Sequence, residues 1–195
     1  MSAAIAVGGG YAVGRAPRVE PPRRADAARL MNDLMAGNVP VGGPFTLADT
    51  GGRRVSLSDF RGEVVVLYFG YTFCPDVCPT DLAAIAAAVD STDAQPVFVT
   101  LDPARDTPPR LAQYIRNFGP RFVALRGSER ETREVATAWK VFYEKVRQPN
   151  SPHYVIDHTA FTFVIDRHGN YAGFFPPGTG AERMTAVLRD VASSR

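Results

Sequence analysis

The chain contains two cysteines, Cys74 and Cys78, and both lie in the stretch YTFCPDVCPT, where each precedes a proline. Three residues separate them, whereas a thiol pair that cycles between dithiol and disulfide usually has two. A disulfide between them would close a very small ring and constrain the unfolded chain little, so a structural role is a poor explanation. Three interpretations stay open: a reactive dithiol, a metal site, and two inert buried thiols.

A metal site would need a ligand besides the two sulfurs. Thiolates favour Cu(I), zinc and iron–sulfur clusters, but structural zinc sites and clusters usually take four protein ligands, and Cu(I) accepts fewer. The chain has three histidines. His168 lies in the turn RHGN, and His153 lies in a Pro-flanked loop and is the weaker candidate. His158, at the predicted start of the strand TAFTFVID, is either the third ligand or a histidine hydrogen-bonded at a strand end.

The elements around the cysteines are predicted from hydrophobic patterns. The run EVVVLYF, residues 63–69, does not alternate, which indicates a central strand that is covered on both faces. After it, Pro79 and TDLAAIAAAVD predict a helix that ends near Asp90. Cys74 then lies before the helix and Cys78 at its start, where free backbone N–H groups lower the pKa of a thiol.

The rest of the chain alternates strands and helices. We predict the following elements in order: a hairpin in 45–62, a strand at 96–102, a helix from 110 to Gly119, a strand at 121–125, a helix capped by Ser128 and Glu131, an edge strand VFYEKV, a hairpin at 159–175, and a final helix with Met184, Val187, Leu188 and Val191 on its apolar face. This order predicts a thioredoxin-like α/β sandwich with a central mixed sheet, an N-terminal hairpin and flanking helices.

Length and charge limit the domain organisation and the partners. At 195 residues, one well-buried core is expected, and a formal net charge of +2 without a dense basic face argues against nucleic acid as a partner. We expect residues 1–43 to be a tail or linker, and residues 44–195 to form the domain. The apolar stretch 3–13 is shorter than the about 20 residues that span a bilayer. Two interpretations of the tail stay open: the remnant of a membrane anchor, and a flexible tail with no targeting role.

Three motifs together resemble one known family. YFGYTFCPDVCPTDL, VTLDPARDTP and VIDHTAFTFVID occur in the order found in the SCO (SenC/PrrC) family of thioredoxin-like copper proteins, which help to assemble the CuA centre of cytochrome c oxidase. The resemblance covers about residues 45–191. It implies that Cys74, Cys78 and His158 bind copper, as Cu(I) or Cu(II), and it agrees with the choice of His158 made from the residues alone.

The resemblance also implies a recipient and a location. The recipient would be subunit II of cytochrome c oxidase or another copper protein, and the location would be the periplasmic side of the bacterial inner membrane. Relatives usually carry a complete transmembrane helix, whereas the apolar N-terminal stretch here is short. The resemblance therefore supports the chemistry more than the membrane anchoring.

Charged residues near these motifs have mixed interpretations. Asp76 would either favour a bound cation or cap the helix, and Asp157 would orient the imidazole or meet a partner protein. Asp102, Arg105 and Asp106 are predicted to form a fixed loop beside the site, as a turn held by aspartate side chains.

Three functions are compatible with these observations. The first is a copper metallochaperone, which is not an enzyme. The second is a thiol-disulfide reductase, in which Cys74 attacks and Cys78 resolves, acting on the cysteines of a copper-accepting protein. The third is a peroxidase, which shares the fold and a reactive cysteine near a helix N-terminus.

Overall fold

The computed structural model describes residue 29 and residues 32–34, 36–149 and 151–194. Most of the expected N-terminal tail, including the apolar stretch 3–13, lies outside the described residues. Within the described ranges, no helix is both long enough and apolar enough to cross a membrane. Leu34 is buried and belongs to the hydrophobic core, so packing against the domain extends to residues before Pro44.

Nine strands are present in the described part of the chain. Their bounds are β1 (Thr46–Asp49), β2 (Arg54–Ser56), β3 (Val65–Gly70), β4 (Gln95–Thr100), β5 (Val123–Arg126), β6 (Tyr143–Arg147), β7 (Tyr154–His158), β8 (Thr162–Ile165) and β9 (Tyr171–Phe175). Seven of them form one sheet in the order β2-β1-β5-β4-β3-β8-β9, and β6 and β7 form a second, antiparallel sheet. In the large sheet β3, β4 and β5 run parallel and the other pairs are antiparallel.

Four α-helices and two short 3-10 helices have defined bounds in the described fold, and residues 32–34 are helical as well. The α-helices are α1 (Val77–Asp90), α2 (Pro108–Ile115), α3 (Glu129–Ala138) and α4 (Ala181–Ser193), and the 3-10 helices are Leu57–Phe60 and Arg116–Phe118. Helix α1 packs against α4, and α2 packs against β5. The predicted α/β sandwich, with a mixed central sheet, an N-terminal hairpin and flanking helices, is confirmed.

Local sequence signals explain several of the element ends. Ser128 accepts a hydrogen bond from the backbone N–H of Glu131, while the Glu131 carboxylate accepts one from the backbone N–H of Ser128. This is the capping box that the sequence predicts for α3. Pro108 and Pro109 occupy the first turn of α2, where a missing N–H costs nothing, and Gly119 follows the 3-10 turn at a φ of 127°.

The structure confirms one predicted strand in the second half of the chain and corrects two other predictions. VFYEKV forms an edge strand as predicted, but β6 pairs with β7 in a separate two-stranded sheet and not with the central sheet. His158 does not begin the strand TAFTFVID; it is the last residue of β7, and β8 starts at Thr162. On α4, Met184 and Leu188 are buried as predicted, but Val187 is exposed.

The central strand β3 leads the chain directly to the cysteines. All six of its residues are buried, as the unbroken apolar run predicts, because β4 and β8 flank it and the core covers both faces. It ends at Gly70, where an added Cβ would lie 3.0 Å from the Tyr68 ring and 3.1 Å from both the Phe98 ring and the sulfur of Cys78. The absent side chain at Gly70 makes room for that sulfur.

Replacing Gly70 with alanine should therefore destabilise the protein. The added methyl would be overpacked against three buried groups, so we expect a loss of about 1–3 kcal/mol in the free energy of unfolding, measured by chemical denaturation. Gly43→Ala is the matched control, because its Cβ would meet Ala138 at an ordinary 3.5 Å. Equal stability of the two variants would contradict this account of Gly70.

Candidate metal centre

The two cysteines occupy different environments at the start of α1. Cys74 is half-buried in the loop between β3 and the helix, and Cys78 is 0% exposed in the first turn of α1. The backbone N–H of Cys78 donates to the Cys74 sulfur across 3.4 Å. The sulfur of Cys74 thus satisfies one of the free N–H groups of the first helical turn.

The start of α1 differs in detail from the prediction. The helix begins at Val77, two residues before Pro79. Asp76 is the N-cap residue, but its side chain makes no capping hydrogen bond, so the capping role considered for its carboxylate is wrong. The side chain of Asp76 is exposed, while its carbonyl accepts hydrogen bonds from the backbone N–H and the hydroxyl of Thr80.

His158 reaches the cysteines from the second sheet. Its Nε2 lies 3.5 Å from the sulfur of Cys78, and its ring packs edge-on to Tyr71 with centroids 5.9 Å apart. Its Nδ1 is buried and has no hydrogen-bond partner among the described residues. Nε2 is therefore the ring nitrogen directed at the sulfurs.

Together these side chains form a compact group of potential metal ligands. The sulfurs of Cys74 and Cys78 and a ring nitrogen of His158 all lie within 4.8 Å of one another, and no other cluster of this kind occurs among the described residues. His153 and His168 are both exposed in turns and do not belong to the group. Two sulfurs and one nitrogen form a soft ligand set.

The pKa values of the two thiols are shifted in opposite directions. Hydrogen bonding to the Cys78 side chain is the main cause that lowers the pKa of Cys74, and hydrogen bonds from His158 and from the backbone N–H groups of Cys78 and Asp76 act in the same direction. For Cys78, the hydrogen bond to Cys74 and the burial of its side chain raise the pKa. These opposite shifts favour a thiolate at the half-buried Cys74 and a neutral thiol at the enclosed Cys78.

A buried polar pair lies beneath Cys78, and no sequence pattern pointed to it. The hydroxyl of Tyr68 donates to a carboxylate oxygen of Asp81 across 3.3 Å, and the other oxygen accepts from the backbone N–H of Gly178 at 2.9 Å. Burial raises the pKa of both Tyr68 and Asp81. This pair ties α1 to β3 and to the loop before α4, which fixes the turn that carries Cys78.

The loop of residues 102–106, hereafter the DPARD loop, lies beside the site as the sequence predicts. Asp106 accepts hydrogen bonds from Thr72, and Asp102 accepts one from the hydroxyl of Tyr154. Thr72 and Tyr154 were missed by sequence reasoning. In the sequence, only the position of each residue, a few residues from a candidate ligand, could have pointed to them. Their hydrogen-bond partners are 34 and 52 residues away, so no local pattern predicts the contacts.

A surface groove opens next to the sulfur of Cys74. It has a volume of about 440 Å³, and its lining includes Cys74, Val77, Val155 and His158. Phe73 and Val77 are exposed apolar side chains on either side of Cys74 in the sequence. A second molecule can therefore approach the Cys74 side of the site, while Cys78 is enclosed by protein.

Comparison with known proteins gives consistent results. Residues 34–193 match the family model described as SCO1/SenC. A similar curated relative is the SCO2-like protein of Rickettsia prowazekii, which is 38% identical over 164 residues, covering 81% of this chain and 80% of the relative.

Solved structures resemble this chain to a similar degree. Arabidopsis thaliana ScoI with copper bound has a TM-score of 0.74 at 33% identity, covering 79% of this chain and 99% of that one. Bradyrhizobium japonicum ScoI with copper bound has a TM-score of 0.71 at 34% identity, covering 77% and 99%. The resemblance seen in the three sequence motifs is confirmed by these matches. This chain belongs to the SCO1/SenC family.

Proposed function

We propose that this protein is a copper metallochaperone in which Cys74, Cys78 and His158 hold the ion. The observation that carries the proposal is the convergence of their three ligand atoms within 4.8 Å. The copper-bound ScoI structures of Arabidopsis thaliana and Bradyrhizobium japonicum, at 33% and 34% identity, support copper as the ion. The soft donor set favours Cu(I), and Cu(II) is the second oxidation state that we expect it to accept.

The protonation states indicate how the ion would be bound. Cys74 supplies a sulfur whose lowered pKa favours the thiolate, and His158 supplies Nε2. Cys78 must lose its proton, because the thiolate is the metal-binding form. Binding of one Cu(I) therefore releases one proton, and the positive ion compensates for the second negative charge in a largely buried place.

The exposure of the site indicates how the ion would leave. Cys74 lies at the groove, whereas Cys78 is enclosed, so incoming thiolates of a recipient would reach copper from the Cys74 side and replace the ligands of this chain in turn. A three-ligand Cu(I) site can accept an extra ligand during such an exchange. We propose the CuA site of cytochrome c oxidase subunit II, or another copper protein, as the recipient, on the basis of the family.

The family also supports a proposal for location. We propose that the domain works on the periplasmic side of the bacterial inner membrane, where a recipient with extracytoplasmic copper ligands would be reached. Protease treatment of spheroplasts should then degrade the protein while a cytoplasmic marker survives, and protection from protease equal to that of the marker would contradict the location.

A second function, thiol-disulfide reductase, is favoured by the unequal thiols. The Cys74 thiolate would attack a substrate disulfide and form a mixed disulfide, expelling one substrate thiolate. Cys78, once deprotonated, would attack the sulfur of Cys74 and release the second substrate thiolate. The substrate disulfide is reduced to two thiols, and Cys74 and Cys78 are oxidised to a disulfide.

The copper proposal is tested by Cu(I) competition with a chelator under anaerobic, reducing conditions. The parent should form a one-to-one complex, and His158→Ala should bind Cu(I) at least about tenfold more weakly, because a residue that coordinates the ion should matter at least as much as one that only orients a ligand. His153→Ala is the matched control, since His153 is exposed and outside the ligand group. Cys78→Ala should abolish tight binding.

Equal Cu(I) affinity of His158→Ala and the parent would remove His158 from the site. The absence of tight binding in every variant would move the protein to the thiol-redox class. Retention of parental affinity in Cys78→Ala would contradict the whole ligand assignment.

The reductase chemistry predicts a marked difference in thiol reactivity. Iodoacetamide at about pH 6 should alkylate Cys74 in preference to Cys78, because a free cysteine with its usual pKa of about 8.5 is then almost fully protonated and Cys74 is not. The rate at Cys74, followed by mass spectrometry, should change little from about pH 6 to 8, whereas an ordinary thiol gains rate over that range.

Cys78→Ala provides the control for this measurement. It removes the main hydrogen bond that lowers the pKa of Cys74, so the alkylation rate of Cys74 should become more dependent on pH. If Cys74 in the parent protein follows the pH profile of a free thiol, the thiolate assignment is wrong.

A further inference from the structure

The two parts of the proposed copper site belong to separate pieces of the fold. Cys74 and Cys78 follow β3 of the central sheet, whereas His158 ends β7, which pairs only with β6 in the described residues. The central sheet therefore does not fix the histidine relative to the sulfurs. Two features therefore set the distance of 3.5 Å between Nε2 of His158 and the sulfur of Cys78: the short connection 159–161 to β8, and contacts made outside the two sheets.

The DPARD loop is bound firmly to the cysteine side of the site. The carboxylate of Asp106 is fully buried and accepts hydrogen bonds from the backbone N–H of Thr72 at 3.1 Å and from its hydroxyl at 2.6 Å. The hydroxyl of Thr100, at the end of β4, donates to the same carboxylate. Thr72 lies two residues before Cys74, so Asp106 fixes the loop that carries the accessible sulfur.

The same loop is bound to the histidine side through Tyr154, the first residue of β7. The Tyr154 hydroxyl donates to buried Asp102 at 2.8 Å, and the Tyr154 carbonyl accepts a hydrogen bond from the guanidinium of Arg105 at 2.8 Å. The guanidinium carbon lies 3.6 Å from the centre of the Tyr154 ring. Asp102 and Arg105 thus bind the hydroxyl, the ring and the backbone carbonyl of Tyr154. Tyr154 is the first residue of the strand that ends at His158.

Arg105 contacts both sides of the site at once. Its guanidinium lies 4.5 Å from the ring centre of Phe73, the neighbour of Cys74, as well as against Tyr154. It also forms an ion pair with Asp102 inside the loop. A planar guanidinium can stack on aromatic rings and, in the same position, donate hydrogen bonds from the N–H groups at its edge, which a lysine ammonium cannot do.

We propose that Arg105 is a positioning residue for the copper site, which sets the place of His158 relative to Cys74 and Cys78 by linking Tyr154 to the cysteine loop. This inference rests on the proposed copper-binding function. Arg105 does not touch the ion in this account. Its loss would let the β6–β7 sheet shift away from the sulfurs, so that the histidine contributes less to binding.

The test is a double-mutant cycle between Arg105→Lys and His158→Ala, with Cu(I) affinity measured by chelator competition. Arg105→Lys retains the positive charge beside Asp102. It loses the planar guanidinium, which stacks on the aromatic rings and donates hydrogen bonds from its edge. It should weaken Cu(I) binding about tenfold in the parent, which is the usual effect of losing a group that orients a metal ligand. It should cause no further loss in the His158→Ala background. The midpoint of thermal unfolding is measured for all four proteins.

A smaller change isolates one of the contacts. Tyr154→Phe removes the hydrogen bond to Asp102 and keeps the ring beneath Arg105, so its loss of affinity should be smaller than that of Arg105→Lys. Tyr114→Phe is the matched control, because the buried Tyr114 hydroxyl has no hydrogen-bond partner in the described structure. Its Cu(I) affinity should equal that of the parent.

A measurement without copper separates this inference from the proposed function. In the reduced protein, a nuclear Overhauser effect between the rings of Tyr71 and His158 should be present in the parent, since the rings are in edge-to-face contact, and weakened in Arg105→Lys. If His158→Ala binds Cu(I) as the parent does, the ligand assignment fails, and this signal still decides the role of Arg105.

Three results would overturn the positioning role. The first is an equal loss of Cu(I) affinity on Arg105→Lys with and without His158, which would mean that Arg105 acts on the cysteines or on stability alone. The second is an unchanged ring–ring signal in Arg105→Lys. A shift in the unfolding midpoint with unchanged affinity would likewise show a purely structural residue.

Discussion

The hydrogen bond from the backbone N–H of Cys78 to the sulfur of Cys74 is the interaction on which the rest of the site depends. It makes the first cysteine an acceptor for the start of α1, in the place that a capping side chain would usually occupy. With three residues between the thiols, Cys74 stays outside the helix while Cys78 lies within its first turn and faces the core. The spacing therefore produces one accessible and one enclosed sulfur, with opposite shifts in pKa.

The enclosed position of Cys78 requires space in the core and a firmly held helix. Its sulfur lies so close to β3 that Gly70 leaves no room for a methyl group, and Tyr68 with Asp81 fixes the helix from below. A buried neutral thiol is inexpensive to enclose, whereas a buried thiolate without a cation is not. A metal ion bound between the sulfurs would supply the positive charge that a buried thiolate needs. The packing that favours a neutral Cys78 in the copper-free protein is therefore compatible with ionisation of Cys78 when copper binds.

The sequence was informative wherever the structural signal is local. The unbroken apolar run of β3 and the capping box at Ser128 are set by neighbouring residues, and both predictions are confirmed. The ligand candidates followed from residue type, since the chain has few soft donors. Strand β7 and the contacts of the DPARD loop were not predictable in this way. Strand β7 forms because it pairs with β6, and Arg105 contacts Tyr154, which is 49 residues away in the sequence. Neither the strand nor the contact can be predicted from neighbouring residues alone.

The two proposed functions make competing use of the same two sulfurs. A disulfide between Cys74 and Cys78 removes two electrons and both thiolate ligands, so the oxidised protein would lose the sulfur ligands on which copper binding is proposed to depend. Conversely, an ion held by both sulfurs and by His158 leaves neither thiolate free to attack a substrate disulfide. Copper and oxidation would thus exclude each other at this site. In an oxidising compartment, the supply of reducing equivalents would then control how much of the protein can accept copper.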